Sequence, residues 1–128
     1  MSRYDKYDPY DGGFRARLNV AIPAADAGKI RAVSVNASGR VVIGGAALVD
    51  IRGLICPTEA MAAGAAIDVM TDGEIAEAVT TGGVVLTAGL QYCHIDGTVD
   101  STAGSGKAIG FTVELNRLIV RVPATQAA

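Results

Sequence analysis

The sequence predicts an all-β protein: a compact small β-barrel or sandwich of short hairpin-connected strands, with one short helical turn and an extended N-terminal arm. Three observations predict it. β-branched and aliphatic runs of a few residues recur between Gly, Asn and Asp turn signals. Of 128 residues 16 are Gly, Trp is absent and aromatics make up 5%, so the core is small and aliphatic and the architecture thin and rich in turns. One turn-and-strand pattern also recurs along the chain. Ala63-Gly64, Ile67-Asp68-Val69 and Asp72-Gly73 are followed about 25 residues on by Ala88-Gly89, Tyr92-Cys93-His94-Ile95 and Asp96-Gly97, with a looser copy at Ala27-Gly28 to Val41. Such a unit is too small to bury its own face, so the units must pack into one sheet pair or barrel of seven to ten strands.

Residues 1–22 read as the arm and 23–128 as a single β domain. The arm holds four of the six aromatic residues, Tyr4, Tyr7, Tyr10 and Phe14, with Asp5, Asp8 and Asp11 between them and Arg15 and Arg17 after. Pro9, Gly12 and Gly13 deny this stretch regular structure of its own. Tyr and Arg are enriched where proteins touch, since each offers a large contact area and a hydrogen-bonding end. An arm that orders on a partner is the preferred reading, and a tail with no role of its own is the plain alternative.

The elements of the body follow in order. Ile30 to Val35 and Val41 to Ile43 flank Asn36-Ala37-Ser38-Gly39, a hairpin signal. Ala47 to Ile55 reads as a half-buried strand. Pro57 to Ala63 carries Ala-rich helix propensity, with Gly64 to stop it, so one or two helical turns are expected. Thr71-Asp72-Gly73 and Asp96-Gly97 predict two further hairpins, because Asp-Gly between hydrophobic runs suits the tight turns that join antiparallel strands. In the last hairpin Phe111, Val113 and Leu115 are expected to point inward, and after a turn at Asn116 the inward set becomes Leu118, Val120 and Val122.

Composition excludes several classes of function. A net charge of −2 lacks the basic face of a nucleic-acid binder. No apolar run reaches the ~20 residues of a membrane helix, and the start of the chain lacks the basic-then-apolar pattern of a signal peptide, so neither a nucleic-acid nor a membrane partner is expected. Cys56 and Cys93 have no metal-binding spacing and read as small buried hydrophobes. Ser101 to Ala108 looks like a phosphate loop but lacks both the first Gly and the hydroxyl after Lys107. Cys93 and His94 are neighbours on a strand, so their side chains diverge and cannot form a nucleophile–base pair. Asp68, Asp72, Glu74 and Glu77 lack calcium-loop spacing. The turn at residues 69–73 has no Lys to serve as a carrier attachment point. No catalytic, cofactor or metal residue is assigned, and the protein is not expected to be an enzyme.

Gly53-Leu54-Ile55, Thr58 to Val69, Asp72-Gly73-Glu74-Ile75, Thr87 to Tyr92, Ile109 to Val113 and Leu118 to Val122 follow one another in an order that resembles the head decoration, or cement, proteins of tailed bacteriophages. The resemblance covers about three quarters of the chain. It implies an all-β protein made in the host cytoplasm that binds the major capsid protein on the outer surface of the virion. It also implies homotrimers at threefold and quasi-threefold positions that stabilise the head against the pressure of packaged DNA. Family arms often add a strand to the capsid protein. From the arm's composition, the capsid-contact residues are taken as Tyr4, Tyr7, Tyr10, Phe14, Arg15 and Arg17, and removal of residues 2–17 is expected to leave the body folded. Candidates for a trimer interface, not separable from core by sequence, are Ile30, Val33, Leu48, Leu54, Ile119 and Val122. The alternatives are another virion β protein, such as a tail-tube or head-completion subunit, or a carrier-type or ligand-binding β barrel.

Overall fold

The computed structural model describes residues 12–122, which form ten strands in two five-stranded antiparallel sheets. The chain fills one sheet before starting the other. The first sheet contains β1 (Gly13–Arg17), β2 (Arg31–Val35), β3 (Val41–Ile43), β4 (Ile51–Ile55) and β5 (Ala66–Met70), in the spatial order β1-β5-β4-β2-β3. The second contains β6 (Asp72–Ile75), β7 (Gly89–Cys93), β8 (Val99–Asp100), β9 (Lys107–Thr112) and β10 (Leu118–Arg121), in the order β6-β10-β9-β7-β8. The all-β class is as expected from the sequence.

Antiparallel steps from β1 across to β3 leave those two strands running in the same direction. The chain beyond β1 then forms a parallel bridge from Leu18 to Val41, where the Asn19 amide donates to the Val41 carbonyl at 2.8 Å. The first sheet thereby closes on itself as a small barrel. Closure removes an exposed sheet edge at that point. Inside lie Leu18, Ile22, Val33, Val41, Ile55, Ile67 and Val69, capped by Met61 and Ala65. The opposite side of the same sheet packs Ile30, Ala32, Ile51 and Leu54 against Cys93, Val99, Ile109, Leu118 and Val120 of the second sheet. Alternate residues of β2 thus serve two cores, as the twofold period of a strand requires.

Phe14, Arg15 and Arg17 therefore belong to the body. Residues 13–17 pair with β5 in five consecutive register positions from Gly13↔Met70 to Arg17↔Ala66, and Leu18 and Ile22 are core residues. A deletion running to residue 17 removes a barrel strand, so the boundary expected at residue 22 cuts through a packed unit. Tyr4, Tyr7 and Tyr10 lie outside the described residues.

Two of the predicted hairpins form as their turn chemistry requires. Asn36 Oδ1 accepts the amides of Ser38 and Arg40 at 3.0 Å, and Gly39 takes φ +77°. Asp96 Oδ1 accepts the amide and hydroxyl of Thr98, holding its carboxyl below the usual carboxylate range, and Gly97 takes φ +88°. The tip of this second hairpin also joins the sheets. Gly97 O accepts the Ala32 amide at 2.8 Å and Asp96 O accepts Arg31 Nη2 at 2.9 Å, while a β-carbon on Gly97 would press on Ile43 and on the Ala32 carbonyl.

Four expectations are corrected. Thr71-Asp72-Gly73 makes no hairpin: β5 and β6 lie in different sheets, and Thr71 is the corner between them, its amide and that of Asp72 both donating to Gly12 O. Residues 57–63 form no helix. Met61 instead exchanges two backbone hydrogen bonds with Ile22, and Gly64 donates to Leu18 O, so closing the barrel outweighs the helix propensity of an Ala-rich stretch. The short helical turns are instead 3-10 turns at Ala24–Asp26 and Leu48–Asp50, the latter replacing the first part of the strand expected from Ala47. Finally, β9 is bulged: Gln91 faces Gly110 but Tyr92 faces Ala108, leaving Ile109 as the extra residue. A bulge reverses the alternation beyond it. Ile109, Gly110 and Thr112 are buried, and Phe111, Val113 and Leu115 point to solvent, not inward.

Candidate functional site

Most of the residues with chemical potential are occupied structurally; the exception is Cys56, which is exposed and not buried as the sequence suggested. Cys93 is fully buried and its thiol is pushed up to about 11, chiefly by burial, which makes it inert as a nucleophile. His94 contacts Asp100 at 2.9 Å through Nε2. Lys107, the lysine of the glycine-rich loop, faces inward from β9 and its Nζ donates to Ile51 O at 3.3 Å in the other sheet, with burial holding its pKa below the usual value. That side chain ties the sheets together and offers nothing to a phosphate. The acidic run is dispersed as ion pairs, Asp68 with Arg15, Asp72 with Arg121 and Glu74 with Arg117. Among the described residues no three His, Cys, Asp or Glu side chains are placed to share a metal ion. A buried amide network centred on Gln91 is likewise internal: Nε2 donates to Thr87 O at 2.8 Å and to Thr112 Oγ1 at 3.1 Å, and Oε1 accepts from Ser101 at 2.9 Å.

Two surfaces remain. The first is built on β1, an end strand of its sheet whose outer edge has no strand partner among the described residues over Gly13–Arg17. Arg15 and Arg17 project outward, Arg15 in a two-pronged pair with Asp68 (Nε to Oδ1 2.8 Å, Nη2 to Oδ2 3.3 Å) and Arg17 donating to Gly64 O at 2.8 Å. Arg15 holds the Asp68 carboxyl below its ordinary range through that hydrogen bond. Phe14 has the opposite parity. It lines an open cleft of about 680 Å³, with Leu54, Cys56, Val69, Met70 and Ile75 among its walls. The cleft is mostly apolar, and its charged walls are already paired, Arg15 with Asp68 and Asp72 with Arg121. Phe14 and Arg15 thus alternate along the strand yet both border this cleft, and Arg17 lies outside it.

The second surface lies on the second sheet. Its inner face is core; its outer face places Leu90, Phe111 and Ile119 directly opposite one another across β7, β9 and β10. Leu90 is 57% exposed, Val113 60% and Leu115 65%. Val84 and Val85 join this end because Leu86 and Asn116 exchange hydrogen bonds, the Leu86 amide to Asn116 Oδ1 at 2.9 Å and the Asn116 amide to Leu86 O at 3.0 Å. Asn116 sits at φ +61°, the tight turn expected from the sequence. Of the proposed trimer residues, Ile30, Val33 and Leu54 are core and unavailable, whereas Ile119 is half-buried on this outer face. Val84, Val85, Leu90, Val113 and Leu115 escaped the sequence reading. Their one sequence signal is an aliphatic run, which looks the same whether it faces core or solvent.

The fold has a solved counterpart. A chain in a structure described as Mycobacterium phage Patience superposes with a TM-score of 0.77 over 94% of this chain and 95% of that one, at 23% sequence identity. At that identity the likeness is one of fold. No protein-family model matches the sequence, and no curated protein matches it. The near-complete coverage in both directions means that the likeness extends over the whole fold and not over one part of it.

Proposed function

We propose that this chain is a structural protein of a tailed-bacteriophage virion, a decoration protein that binds the major capsid protein on the outside of the mature head as a trimer and stabilises the shell. The observation that carries this reading is the end-to-end likeness of fold to a chain from a phage structure, taken with the order of turns and strands that resembles phage decoration proteins. The site geometry supports it: Cys93, His94, Lys107 and most of the acidic run are engaged in internal contacts, and what the body offers outward is an open strand edge and an apolar sheet face.

The β1 edge suits the capsid. An exposed edge can accept an added strand, with main-chain hydrogen bonds supplying affinity and side chains on either side supplying selectivity. Tyr4, Tyr7 and Tyr10, which precede this edge in sequence, and Phe14, Arg15 and Arg17 on it are assigned to capsid contact. Many identical copies on one shell multiply a weak contact, so no single contact has to be strong. Co-sedimentation with expanded heads prepared without the protein tests the reading. The protein is expected to pellet with the heads at a saturating, fixed copy number; failure to pellet, at any protein concentration that stays in solution alone, overturns it.

A further inference from the structure

We propose that copies of this chain meet through the apolar end of the second sheet, formed by Val84, Val85, Leu90, Phe111, Val113 and Leu115. The proposal deepens the decoration reading by naming the surface of self-contact, and it rests on that reading for the trimer but not for the surface. Most of the large exposed apolar side chains among the described residues collect at this end, and the bulge at Ile109 is what turns Phe111 and the residues after it outward. Their exposed area is on the order of several hundred Å², at the upper end of what a free monomer shows and approaching the ~800 Å² per partner of a standard protein interface.

Area, and not charge, argues for the occupant. Arg117 bonds both Glu74 at 2.8 Å and Glu114 at 3.3 Å, which leaves one carboxylate in excess, and Arg121 pairs with Asp72. Glu77, whose neighbour Ala78 donates to Asn116 O, is exposed and has no ion pair among the described residues, so the rim is weakly acidic. An identical face brings an apolar surface of equal size to cover this one. In a trimer the same end of each copy would converge on the symmetry axis, where a residue meets its own counterparts.

The test is Val113→Asp combined with Leu115→Asp. Both positions are exposed, so the urea unfolding midpoint should not move, while like charges repeated in every copy would oppose association. Sedimentation equilibrium of the full chain and of the variant, across micromolar to hundred-micromolar concentrations, reads the outcome. Wild type should self-associate, and the variant should dissociate at least about 100-fold more readily, the loss of a typical interface hot spot. Equal association of the two proteins overturns the surface. So does a wild type that stays monomeric both in solution and, by chemical cross-linking, on heads. If the variant of such a monomer loses head binding, the patch is instead the capsid contact. Binding of wild type to heads is scored separately, so failure of the decoration reading is told apart from failure of this surface.

Discussion

The first sheet covers its inner face throughout and its outer face over β2 and β4, whereas the second covers one face only. In the first, β2 and β4 send alternate side chains into two cores, and on the exposed side of β1 and β5 Arg15 pairs with Asp68 while Arg17 donates to Gly64 O. In the second, the outer face is apolar across three strands and its end is apolar in the loops. Both sheets are similar in size and in strand number, so the difference is one of assignment: the barrel holds the chain together, and the second sheet presents surface. The β1 edge is the exception on the barrel side, being structurally committed on one edge and open on the other.

The largest break in this comparison comes from the N-terminus. Deleting residues 2–17 removes β1 and the barrel closure, and should abolish the cooperative unfolding transition seen by circular dichroism. Stopping the deletion at residue 11 retains every described strand and should preserve the transition while weakening attachment to heads. A normal transition in the longer deletion would show that the barrel does not need its first strand.

Next in size is a matched pair of leucines. Leu18 is fully buried in the barrel and Leu115 is 65% exposed. Leu18→Ala should cost ~2–5 kcal/mol in urea unfolding, and Leu115→Ala should stay within ~0.5 kcal/mol. Similar losses at the two sites would erase the distinction between holding and presenting.

A smaller effect tests the core between the sheets through pH. The Cys93 thiol is raised to about 11 in the fold, so between pH 9 and 11 the unfolded chain releases a proton that the folded chain keeps, and stability falls as pH rises through that window. Cys93→Val, of similar volume, lacks this loss. Relative to wild type it should gain on the order of 2 kcal/mol between pH 8 and 11, with Lys107 present in both proteins. Parallel pH profiles would mean that the thiol is hydrated in the fold.

The smallest effect belongs to the exposed Arg15–Asp68 pair. Solvent-facing ion pairs contribute little because water and salt screen them. Arg15→Ala should leave the unfolding midpoint unchanged within error but lower head binding, a split that assigns Arg15 to contact and not to folding.

Much of the fold was legible in the residues, and what was not has specific causes. The Asn36–Gly39 and Asp96-Gly97 turns could be read because a side-chain carbonyl or carboxylate and a left-handed Gly build them locally. Asp72-Gly73 has the same letters, yet the amides of Thr71 and Asp72 are taken by the carbonyl of Gly12, far away in sequence, so a distant partner decided what local chemistry left open. The Ala-rich stretch at 57–63 was lost to long-range pairing with Ile22 in the same way. The outward turn of Phe111, Val113 and Leu115 depends on one extra residue at Ile109, and an aliphatic alternation carries no mark of such a bulge. Phe14, Arg15 and Arg17 were singled out from composition, but their place on a barrel strand was concealed by the Gly and Pro residues just before them.

The most direct test of the central claim is a cryo-electron microscopy reconstruction of expanded heads prepared without the protein and then mixed with it. The account predicts protrusions at threefold and quasi-threefold positions, with β1 toward the shell and the apolar ends of neighbouring copies meeting at the axis. Bare heads, or density at a portal or tail position alone, would contradict it.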